Sequence, residues 1–150
     1  MPGRATNVVV GTIAGATTAA FRARHEPDGR FLLETLGGGA GGYLGGQLPD
    51  ILEPATSSWH RSFAHSVAAG TGIAYLAHER LSAAQEWCRR QADTLAARRA
   101  QMPADSFAAC LLALAETTLR ILAGLLAGLV AGYLSHLVLD ARTARSIRLI

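Results

Sequence analysis

Residues 37–46 read Gly-Gly-Gly-Ala-Gly-Gly-Tyr-Leu-Gly-Gly. As a flexible linker, this run would divide the 150-residue chain; as a helix, it would sit at the centre of a packed bundle. Glycine inside a helix costs about 1 kcal/mol relative to alanine, so the run is helical only where close packing offsets that cost. The flanking leucines and Tyr43 favour a helix over about residues 31–47. Gly38, Gly42 and Gly46 stand four apart and share one face, and Gly11 and Gly15 repeat that spacing upstream. Such smooth stripes let helix backbones approach closely.

Working outward, the chain continues to read as helix. Thr6 caps a helix to about Arg24, with Val9, Ile13, Ala16, Ala20 and Phe21 near one face. His25 to Arg30 is a turn, marked by Pro27 and Asp28-Gly29. Pro49 and Pro54 interrupt the next segment. Ser57 or Ser58 caps a helix through about Ala77, and a polar one follows from about Ser82 to Ala100. The last runs from about Asp105 to Leu139. Strand signals are nearly absent, and aromatic residues make up only 6% while glycine and alanine abound. The expectation is a single all-α domain of five helices around a glycine-striped apolar core, spanning residues 1–150.

All fourteen basic residues are arginine, and the net charge is only +3. That balance excludes a phosphate-tracking surface, and no recognition-helix pattern or basic stripe points to direct nucleic-acid binding. Arg89, Arg90, Arg98 and Arg99, then Arg142, Arg145 and Arg148, read as solvated charges, with lipid headgroups as the alternative contact. Cys88 and Cys110 make no disulfide framework, so a reducing cytosolic environment is the simpler reading. The apolar start of the chain leads directly into Arg22 and Arg24 and reads as a retained first helix rather than a signal peptide. Only the last helix is long enough to cross a bilayer. Its apolar centre, Ile121 to Leu134, carries Gly124, Gly128 and Gly132, but its flanks hold Glu116, Arg120, His136 and Asp140. Periodicity does not separate a membrane helix from the central helix of a soluble bundle here.

Two clusters carry chemistry. His136 and Asp140 are four apart on the last helix, so they project from one face and can offer a nitrogen and an oxygen to one ion. An ordinary polar pair near a helix end is the plainer alternative. The second cluster is His60 and His65, with Asp50 ten residues upstream of His60 on the proline-bounded loop. Read singly, they are a cap, a core histidine and a turn former. Taken together, three of the five histidines and two aspartates lie beside the most apolar segments, where a shared cation relieves the cost of burial. His25 and His78 read as surface residues. The glycine run lacks the lysine and serine or threonine of a phosphate-binding loop and follows no strand. Ser66 beside His65 is a poor nucleophile–base pair, because adjacent helical residues point apart.

The ordered motifs resemble the YdjM-like, LexA-binding, inner-membrane-associated family of metal-dependent hydrolases. The likeness lies in a Gly-rich helix running into Leu48-Pro49-Asp50, then His60-Arg61 with His65-Ser66, then Gly132 to Asp140 with Ser135-His136. Thr143 and Leu149-Ile150 follow as in that family, and the blocks cover most of the chain. The resemblance implies a helical metal site and membrane association. A more distant likeness to the zinc phospholipase C and P1 nuclease superfamily implies catalytic zinc. The chain departs from the family at Asn7, where a Thr-His pair is usual, and at Leu52, where a second aspartate often stands. The shorter ligand set points to one ion rather than several.

The resulting expectation is a hydrolase of phosphoester bonds at the bacterial inner membrane, its partner a phosphoester-type substrate or a lipid. Asp50, His60, His65, His136 and Asp140 hold a divalent ion, zinc first and manganese second, with one position left for a water. Asp50 or Glu53 accepts the proton, and Arg61 contacts a substrate phosphate. The rival expectation is a non-catalytic membrane or assembly protein, with a structural ion or polar network and self-association through its glycine stripes. A soluble cytoplasmic location is the alternative to the membrane.

Overall fold

The computed structural model describes residues 4–52 and 67–141. They form four long helices and one short one: α1 (Arg4–Arg22), α2 (Asp28–Gly45), α3 (Leu48–Leu52), α4 (Val67–Arg99) and α5 (Phe107–Ala141). No strand occurs among the described residues, and the all-α class is as expected.

The glycine run is helical, and backbone proximity is the reason. α2 lies parallel to α5, with Glu34, Gly38 and Gly42 against Gly124, Gly128 and Gly132. A second row, Gly37, Gly41 and Gly45, meets the α5 backbone at Ile121, Leu125 and Leu129. α1 runs antiparallel to α2, placing Gly11 and Gly15 against Gly42 and Gly38. A Cβ on any of the glycines in these three rows would fall under 3.0 Å from a neighbouring backbone atom. α5 is therefore the central element, in contact with α1, α2 and α4. The stripes expected to serve self-association are occupied within the chain.

Several expectations need correction. The apolar face of α1 does not point inward: Val9, Ile13 and Phe21 are exposed, while Asn7, Gly11, Gly15, Ala19 and Ala23 are buried every fourth residue. The smallest side chains face the core because only they permit this separation of helix axes. On α2 the same inversion leaves Leu32, Leu36 and Leu44 exposed. The segment at Pro49 makes the one-turn helix α3, since a proline in the first turn lacks only an N–H that has no helical partner there. α2 begins at Asp28, inside the expected turn, with Pro27 as N-cap. The two helices expected around residues 57–77 and 82–100 are joined as α4, because no glycine or proline intervenes after Gly72. The expected start at Ser57 or Ser58 lies outside the described residues. Ser106 caps α5, its hydroxyl accepting from the Ala109 amide at 3.1 Å.

The other correction concerns charge. Arg89 and Arg99 are not simply solvated. The Arg89 Nε donates to both Glu34 carboxylate oxygens at 3.1 and 3.0 Å. Arg120, fully buried, donates to Glu34 at 3.4 Å, to Glu26 at 3.3 Å and to Asp93. Arg30 adds Asp93 at 2.8 Å, and Arg99 pairs with Glu116 at 3.0 Å. This network joins α2, α4 and α5 at one end of the glycine-lined contacts. Asp50, His136 and Asp140, three of the residues expected to hold an ion, lie toward the other end.

Candidate metal centre

Three elements build the site. α2 ends at Gly45, and its C-cap Gly46 keeps helical φ and ψ of −65° and −14°, so the Gly46 carbonyl points onward from the helix end. α3 then carries Asp50, and the last two turns of α5 carry His136 and Asp140. The parallel register of α2 and α5 sets His136 beside Gly46, ninety residues away in sequence.

His136 is 1% exposed. Its Nδ1 lies 2.7 Å from the Gly46 carbonyl oxygen. A carbonyl only accepts, so Nδ1 is the protonated nitrogen, and in neutral imidazole Nε2 holds the lone pair. Nε2 faces two carboxylates, Asp140 Oδ2 at 3.3 Å and Asp50 Oδ1 at 3.7 Å. Burial alone would push the His136 pKa down. The Asp140 hydrogen bond, the Gly46 carbonyl and the charges of Asp50 and Asp140 outweigh burial and raise it above the usual imidazole value.

Ligands about 2.1 Å from a tetrahedral ion stand about 3.4 Å apart, and 3.3 and 3.7 Å bracket that figure. Anchoring the far imidazole nitrogen on a backbone carbonyl is the usual support for a metal-binding histidine. The Asp140 side chain is 7% exposed and that of Asp50 40%, so the site is closed on the α5 side and open on the α3 side.

Three of the expected ligands, Asp50, His136 and Asp140, are thus neighbours. His60, His65, Glu53 and Arg61 lie outside the described residues. Among the described residues, no group of three or more histidine, cysteine, aspartate or glutamate side chains is placed to hold a metal ion. His25 and His78 are exposed, as expected. Ser135 turns back onto its own helix, donating to the Gly132 carbonyl at 2.7 Å. Sequence reasoning missed Gly46, whose contribution is a backbone atom; its only signal is the glycine four residues before Asp50. Comparison of the chain with family models, curated proteins and solved structures finds no match, so the reading of this site rests on its own geometry.

Proposed function

We propose that the chain is a metal-dependent hydrolase of phosphoester bonds that works at a membrane. The observation that carries this reading is the orientation of His136: one ring nitrogen anchored on Gly46, the other turned toward two carboxylates from different helices. Asp50, His136 and Asp140 would hold a divalent ion, zinc before manganese, with His60 and His65 completing the set. When bound, such an ion supplies Lewis acidity and brings the pKa of a water toward neutrality. Asp50, the most exposed of the three, can accept a proton on the solvent side, a role Glu53 shares in this reading. Arg61 would receive a substrate phosphate on its planar fork of donors.

Two features support membrane association. α5 from Phe107 to Asp140 is long and apolar enough to cross a bilayer. α1 and α2 bury small residues and expose Val9, Ile13, Phe21, Leu32, Leu36 and Leu44. α4 is different: it exposes Glu79, Arg80, Glu86 and Arg90 over its residues 79–90, a surface too costly to face lipid. The reading is therefore attachment through the α1/α2 side, with the bacterial inner membrane taken from the family resemblance. Recovery of the untagged chain in the soluble fraction of lysed cells would remove that part.

The purified protein is expected to retain about one equivalent of zinc or manganese, and His136→Ala to lose it. Full retention by that variant in elemental analysis ends the assignment. A release assay on a phosphodiester, with and without EDTA, separates catalysis from a purely structural ion or polar network. The near-complete burial of His136 favours that second reading, which predicts no turnover and unfolding on chelation.

A further inference from the structure

Arg22 differs from the other arginines near the core. Arg30, Arg89, Arg99 and Arg120 each meet a carboxylate. Arg22 instead donates to the Ser82 hydroxyl at 2.9 Å, and among the described residues no carboxylate pairs with it. Beside it lies a cavity of about 240 Å³ between α1, α4 and α5. Its lining is divided. Arg22, Ser82 and His78 are polar, with His78 and Ser82 four apart on one face of α4; Leu126, Val130 and Leu134, also four apart, present an apolar stripe from α5.

We infer that this cavity binds a single-chain anionic amphiphile, a medium-chain carboxylate with its head on Arg22 and its tail along the α5 stripe. A planar guanidinium that meets a neutral hydroxyl and no carboxylate among the described residues matches an incoming carboxylate in geometry and charge. The apolar stripe offers nothing to a sugar or a base and only dispersion and desolvation to a hydrocarbon. The volume lies below the roughly 300–1,000 Å³ of drug-sized sites, which suits one chain and not a two-chain lipid. The inference does not rest on the metal centre, because no residue of that centre lines the cavity.

The test uses the full chain in amphipol, which avoids single-chain detergents, and radiolabelled decanoate as the probe. Saturable binding is expected, with competition by unlabelled decanoate and none by acetate or decyltrimethylammonium. Arg22→Gln is expected to weaken decanoate at least about tenfold. Val130→Phe, which fills the apolar stripe, is expected to abolish binding. Equal competition by acetate would reduce the site to a simple anion contact and overturn the inference. Equal competition by decyltrimethylammonium, or unchanged affinity in Arg22→Gln, would overturn it too. Should Val130→Phe fail to fold, the half-buried Arg22→Gln still decides the matter.

Discussion

His136 sits between a backbone carbonyl and two carboxylates, and its proton responds to all three. In the metal-free protein its pKa is raised in the folded state, so the charged imidazolium contributes stability. That contribution is complete below the unfolded value of about 6.5 and is lost as pH rises through the higher folded value. A bound cation reverses the slope, because Nε2 must be deprotonated to ligate. The melting temperature of EDTA-treated protein is expected to fall as pH rises above about 6.5, while the stabilisation gained on adding zinc grows as pH rises. Parallel slopes with and without zinc would contradict a shared ion at His136. At this scale the sequence was informative where side chains carry the chemistry. The four-residue spacing of His136 and Asp140, and an aspartate behind a proline, were sufficient to nominate three neighbours. The Gly46 carbonyl was not legible, because every residue has one and only the fold selects which one is used.

The helices tell a similar story with a different lesson. The glycine stripes correctly identified faces of close approach, but the large apolar residues of α1 were expected inside. That expectation assumes cores are filled by bulk, whereas here the helix axes are too close for anything beyond glycine or alanine. Paired substitutions measure the difference. Gly41→Ala places a methyl group against the Leu125 backbone and is expected to cost about 1–3 kcal/mol or more in chemical denaturation. Gly29→Ala, with nothing within 4 Å of its Cβ, is expected to gain about 0.5–1 kcal/mol from helix propensity. Equal effects at the two positions would mean that close packing does not explain the helical run. The continuity of α4 was misread for a simpler reason: the change from apolar to polar near His78 resembled a boundary, yet a change of surface does not break a helix.

Across the whole molecule, the charge network is the feature least visible in the sequence. Three of its pairs are separated by 55, 86 and 94 residues, so no local pattern connects Glu34 to Arg89, Glu34 to Arg120 or Glu26 to Arg120. Glu34, fully buried, holds two of the arginines. Glu34→Leu leaves both without their shared partner and is expected to cost about 3–5 kcal/mol, read as a lower denaturation midpoint. Glu86→Gln, which removes an acid from the surface, is expected to stay within about 0.5 kcal/mol of the parent. Comparable losses in the two variants would show that burial adds nothing to the network.

The parallel alignment of α2 with α5 has a consequence for synthesis. On the ribosome, the N-terminal hairpin of α1 and α2 emerges with its second row of glycines bare and Glu34 without either arginine. About ninety further residues separate each α2 position from its α5 counterpart, a delay of roughly 5–18 s at ordinary translation rates. Until α5 arrives, Asp50 has neither His136 nor Asp140 beside it. No nascent fragment lacking α5 can assemble these three residues, which postpones their meeting until the last helix has been made.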